Sequence, residues 1–109
     1  MRANMAGMTV LIVGGGGREH ALAIGLVESE SVGDVHACPG NAGTALVGIN
    51  HDVSVTDVVA VGELASEISA DLVVIGPEAP LVAGLSDHLR DIGIPSFGPH
   101  SQGAALEGS

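Results

Sequence analysis

The chain has no lysine, no tryptophan and no tyrosine; cysteine and phenylalanine occur once each, as Cys38 and Phe97. Each shortage removes a class of protein. A Walker phosphate loop needs a lysine, so that nucleotide site is excluded. A single cysteine makes neither an internal disulfide nor a cysteine metal cluster, and Cys38 reads instead as a small buried residue at a strand end. Positive charge is scarce: three arginines (Arg2, Arg18, Arg90) stand against 13 acidic residues, a formal net charge of -10. Nucleic acid and anionic membrane surfaces are therefore excluded as partners. Apolar runs such as Val10 to Val13 and Leu72 to Ile75 are far too short to cross a bilayer, and no signal pattern opens the chain, which leads us to expect a cytoplasmic protein. A self-repelling acidic surface is tolerable where salt screens it, so a halophilic source is a second expectation.

What remains is aliphatic. Hydrophobic residues make up 46% of the 109 positions, and with almost no aromatics the core must be Val, Ile, Leu and Ala, a composition suited to parallel strands buried under small-residue helices. The length allows one domain. Residues 1–7 read as an extension and 8–100 as the domain. Met8 to Val13 is a continuous, β-branched run ended by Gly14, the pattern of a strand covered on both faces. A mostly buried helix is expected over Arg18 to Glu28, a strand over Val35 to Cys38, and a loop from Pro39 through Thr44. A third strand falls between Val47 and Val53, followed by a helix capped by Thr56 and running to Ser69. Asp71 to Ile75 is a further strand; Pro80 opens one helix reaching Gly93 with Leu81, Leu85 and Leu89 inward, and Ile94 to Phe97 is the last strand. That order gives a doubly wound parallel α/β sheet. Residues 101–109 begin another helix.

In an open parallel sheet, ligands bind beyond the carboxyl ends of the strands where the strand order reverses. If the first and fourth strands are neighbours, the loops starting at Gly14 and at Gly76 flank that point. Gly14, Gly15, Gly16 and Gly17 leave backbone amides without a Cβ beside a helix start, which suits a phosphate, and Arg18 adds a local positive charge. The same glycines also suit a tight strand-to-helix turn. A dinucleotide fingerprint fits poorly: with Gly14 and Gly16 as its first two glycines, Glu19 falls on the third, and no acid ends the second strand. Glu78, directly after Gly76-Pro77, is placed to accept hydrogen bonds from vicinal ribose hydroxyls, or to sit at a helix start against its dipole. Glu19 reads as a first-turn acid of its helix. His20, His36, His51, His88 and His100 have no ligand spacing, and no metal site is expected.

Taken together, VLIVGGGGREHALA at Val10 to Ala23, PGNAGT at Pro39 to Thr44, DLVVIGPEAPLVAGL at Asp71 to Leu85, and IPSFGP with ALEGS closely resemble the start of the phosphoribosylamine-glycine ligase family. The resemblance runs from about Met8 to Ser109. It implies a Rossmann-like domain that precedes an ATP-grasp region in a purine-biosynthetic ligase joining glycine to 5-phosphoribosylamine. It further implies that Gly14 to Gly17 with Gly40 and Asn41 bind the phosphate, that Glu78 binds the ribose, and that ATP and Mg or Mn bind in the ATP-grasp domains, outside this stretch. On that reading residues 101–109 lead toward those domains and the chain alone is a binding module without catalytic residues. Related purine-pathway carboxylases and formyltransferases are the nearest alternative, and a dinucleotide-binding domain a more remote one.

Overall fold

The computed structural model describes residues 7–98. Five strands form one parallel sheet in the order β3-β2-β1-β4-β5. They are β1 (Met8–Gly14), β2 (Val32–Pro39), β3 (Ile49–Asn50), β4 (Leu72–Ile75) and β5 (Ser96–Phe97), joined by α1 (Gly17–Val27), α2 (Ala42–Val47), α3 (Val58–Glu67), α4 (Ala79–Val82) and α5 (Leu85–Asp91). β1 is central and pairs with β2 on one side and β4 on the other, with Val13 opposite both Cys38 and Ile75. The chain thus winds outward through β2 and β3, then crosses back to β4, so strand order reverses between β1 and β4. The doubly wound α/β architecture expected from the sequence is the one observed.

The strand period of two sends alternate residues to opposite faces. Leu11, Val13, Cys38, Val73 and Ile75 meet Val61, Leu64, Ala65, Leu85 and Leu89 from α3 and α5. On the other face Ile12, Val35 and Ala37 meet Ala23 of α1, with Leu26 and Val47 alongside. Both faces of the middle strands are covered, which is why they are written in continuous Val, Ile and Leu.

Several local expectations are corrected. Residues 42–44, expected within a loop, open α2: Asn41 caps it, its Oδ1 accepting from the Thr44 amide at 2.8 Å. The third strand is only Ile49–Asn50, because Val47 belongs to that helix. Asp57 caps α3 in place of Thr56, accepting from the Ala60 amide at 3.2 Å. The single helix expected from Pro80 to Gly93 is two, because Gly84 adopts φ 94° and breaks it. Leu85 and Leu89 do face the core; the side chain of Leu81 and the helix expected over residues 101–109 lie outside what is described. Finally, α1 is not mostly buried. Only Glu19 and Ala23 are buried, with Leu26 half-buried, while Leu22, Ile24 and Val27 face outward. A helix resting on a sheet buries one stripe, and six apolar residues exceed it.

Candidate functional site

Three loops leave the carboxyl ends of β1, β2 and β4, and hydrogen bonds lock them together. Gly14 closes β1 with φ 141°, and its carbonyl accepts from the Gly40 amide at 3.1 Å. The Asn41 Nδ2 donates to the carbonyls of Gly15 and Gly16, each at 3.0 Å. On the other side, the Gly76 amide donates to the Val13 carbonyl at 2.9 Å, holding the start of the third loop against the end of β1.

The glycine loop leads directly into α1, and one of its amides is already bonded. Gly16 is the N-cap of α1. Its own amide donates to Glu19 Oε1 at 2.6 Å, whereas those of Gly15, Gly17 and Arg18 have no protein acceptor among the described residues. The helix dipole points its positive end at them. Gly15, Gly16, Gly17 and Arg18 are all exposed, and the Arg18 side chain is 69% accessible with Nε 3.8 Å from Glu19 Oε2. Asn41 is half-buried, and both ends of its amide are engaged by protein, so its role in the loops is to join them. Glu78 is exposed two residues beyond Gly76.

Sequence reasoning missed three residues of this region. Glu19 is 5% exposed; its carboxylate lies between the glycine loop and Gly76, so that a Cβ built on Gly14 would stand 2.7 Å from its Cγ and Cδ, and one on Gly76 would fall on its Oε2. Thr44 is 1% exposed and is bonded by the Asn41 amide at 2.7 Å, while its hydroxyl lies 2.7 Å from Asn50 Oδ1. Asn50 Nδ2 in turn donates to the Asn41 carbonyl at 2.8 Å. The spacing Asn41-x-x-Thr44 is a capping-box pattern and was a legible signal for α2; nothing local marks Asn50.

Away from the loops, His36 Nδ1 and His51 Nε2 are 2.9 Å apart with ring centroids 5.1 Å apart, an end-to-end N-H···N contact that holds one proton. Burial, and then the neighbouring His51, lower the His36 pKa, with Asp34 opposing them, so the fold favours the neutral ring. Burial pushes the Cys38 thiol up to about 12, which keeps it protonated and unreactive. Among the described residues no cluster of three or more His, Cys, Asp or Glu gathers in metal-binding geometry.

A doubly wound parallel sheet with a glycine loop at its switch point defines a domain of the nucleotide-fold class. Within that class its family is identifiable. Residues 8–107 match the family model of the phosphoribosylglycinamide synthetase N domain, and the chain belongs to this family. It is 53% identical over 102 residues to a phosphoribosylamine-glycine ligase of Streptomyces coelicolor, covering 94% of this chain. The corresponding ligase of Rhodopirellula baltica is 50% identical over 105 residues, 96% of this chain, and that of Vibrio cholerae 46% over 104 residues, 94% of it. The chain spans about a quarter of the length of these curated relatives, 24% of each. Among the described residues no helix is long and apolar enough to cross a membrane.

Proposed function

We propose that this chain is the substrate-binding amino-terminal domain of a cytoplasmic ligase that joins glycine to 5-phosphoribosylamine with ATP. The observation that carries the reading is the convergence of the glycine loop and the loop bearing Glu78 at the β1/β4 switch point, in a chain half identical to such ligases. The amides of Gly15, Gly17 and Arg18 hold the phosphate, with Gly14, Gly16, Gly40 and Asn41 shaping the loop and Arg18 adding charge. Glu78 takes the ribose hydroxyls. A nucleoside triphosphate does not fit these residues: the chain has no lysine, and Glu19 holds the amide of Gly16. ATP and Mg or Mn belong to ATP-grasp domains, which are also the partner surface of this domain, and glycine is the second substrate there.

Gly17→Val tests the phosphate site without disturbing the loop, because a Cβ at Gly17 meets nothing within 4 Å. Valine is a better helix former than glycine, so the first turn is not weakened. Its branched side chain stands among the three donors, and affinity for ribose 5-phosphate should fall by about tenfold or more, the scale of one charge-assisted hydrogen bond. In the unsubstituted chain the amide resonances of Gly15, Gly17 and Arg18 should move on titration. If they stay still while others move, the phosphate lies elsewhere.

The net charge of -10 supports a salt-rich cytoplasm as the working environment. Screening shortens to roughly 3 Å at 1 M salt, which relieves carboxylate repulsion in the folded state. The melting temperature should therefore rise from dilute buffer to molar potassium chloride; a flat or falling trend removes the halophilic reading.

A further inference from the structure

We propose that Glu19 determines which anion the glycine loop accepts: by holding the Gly16 amide and filling the space between Gly14 and Gly76, it leaves a site for one phosphate group and excludes a diphosphate. In dinucleotide-binding domains the second glycine of the motif lets the backbone approach the pyrophosphate, and the third lets the helix pack on the strand. Here the second is Gly16, and its amide is already bonded to Glu19 Oε1 at 2.6 Å. The third position is Glu19 itself, 5% exposed. Its Cγ and Cδ occupy the place a Cβ of Gly14 would need, and its Oε2 the place of a Cβ at Gly76. The crevice between the ends of β1 and β4 is thereby filled from within the protein. The three amides that remain suit one tetrahedral group.

The inference rests on the phosphate reading of the loop, and its test separates the two. The full chain, Glu19→Ala, Glu19→Gln and Gly76→Ala are titrated calorimetrically with inorganic phosphate and with inorganic diphosphate, with thermal melts confirming the fold. The unsubstituted chain should bind phosphate and refuse diphosphate. Glu19→Ala frees the Gly16 amide, and the ratio of diphosphate to phosphate affinity should rise at least about tenfold, as expected for one restored charge-assisted hydrogen bond. Glu19→Gln keeps the shape and the acceptor on Gly16, so its ratio should stay within about threefold of the parent, a span under 1 kcal/mol that leaves the bond in place. Gly76→Ala displaces the carboxylate while leaving it in the chain, should behave like Glu19→Ala, and carries the test if Glu19→Ala does not fold. A folded Glu19→Ala or Gly76→Ala that still refuses diphosphate overturns the inference and leaves the phosphate site standing. So does a Glu19→Gln that gains as much as Glu19→Ala, since occupancy is then not the cause. If the unsubstituted chain binds no phosphate but the alanine variants take diphosphate, the functional reading fails and the role of Glu19 stands.

Discussion

Gly40→Ala should destabilise the fold by about 2 to 5 kcal/mol, a large share of the roughly 5–15 kcal/mol that holds a domain together. Two costs combine. Gly40 has φ 75°, a left-handed conformation that costs an L-residue about 1–2 kcal/mol. The new methyl would also land on the Asn50 side-chain amide and stand 2.7 Å from Thr44 Oγ1. Asn50 must then move, which breaks its bonds to Thr44 and to the Asn41 carbonyl. Thr44 is buried, and each polar group left unsatisfied costs about 1–3 kcal/mol. Gly84→Ala provides the comparison: φ is 94° there, but the Cβ meets nothing within 4 Å, so only the backbone cost applies. Urea denaturation of the two variants should show Gly40→Ala the more destabilised by at least about 1 kcal/mol, with the m-value unchanged. Equal losses would mean that Asn50 relocates without penalty and that the bonded cluster does not hold the loop.

The same cluster explains what the sequence did and did not make legible. Strands β1 and β4 were readable because burial on both faces demands uninterrupted β-branched residues, while their adjacency entered the sequence reading only as a condition, which the pairing of β1 with β4 meets. Helix α2 was missed although Asn41-x-x-Thr44 is a capping pattern, because Pro39-Gly40-Asn41 reads as a turn and Gly43 weakens the helical run after it. It forms because Asn41, Thr44 and Asn50 bond one another, and Asn50 arrives from β3. The cap at Asp57 instead of Thr56 is a one-residue ambiguity between two residues that both cap well. The break at Gly84 has a visible cause, since a glycine in the middle of a helical pattern is where the left-handed turn forms.

Glu19 illustrates a different limit. Its place in the first turn of α1 was correctly read, and so was its conflict with the dinucleotide motif. Its burial was not, because that depends on Gly76, 57 residues further along, being brought against it by the pairing of β1 with β4. A mismatch to a sequence motif proved to be the position where the protein places its own anion. The outward apolar residues of α1 show the converse: Leu22, Ile24 and Val27 look like core in sequence, but a two-layer contact has room for one stripe only.

For Glu78 the expected result is a loss confined to the sugar. A carboxylate accepting hydrogen bonds from two ribose hydroxyls keeps its shape on Glu78→Gln but exchanges one acceptor for a donor and loses its charge. Affinity for ribose 5-phosphate should weaken by roughly 1.5–3 kcal/mol, the scale of hydrogen bonds to charged groups, which is about tenfold to a hundredfold in the dissociation constant. Inorganic phosphate reaches only the glycine loop. Its affinity should hold constant, or rise slightly when a negative charge leaves the same end of the sheet. Glu78 is exposed and follows the Gly76 that lines Glu19, so a structural role for it is the alternative to be separated. Paired calorimetric titrations of both ligands against the parent and Glu78→Gln make the separation. Equal losses for the two ligands would assign Glu78 to support of the loop, and no loss for either would return it to the role of an acid at a helix start, stabilised by the dipole. Only a loss for the sugar phosphate with phosphate unaffected identifies Glu78 as the residue that reads the ribose.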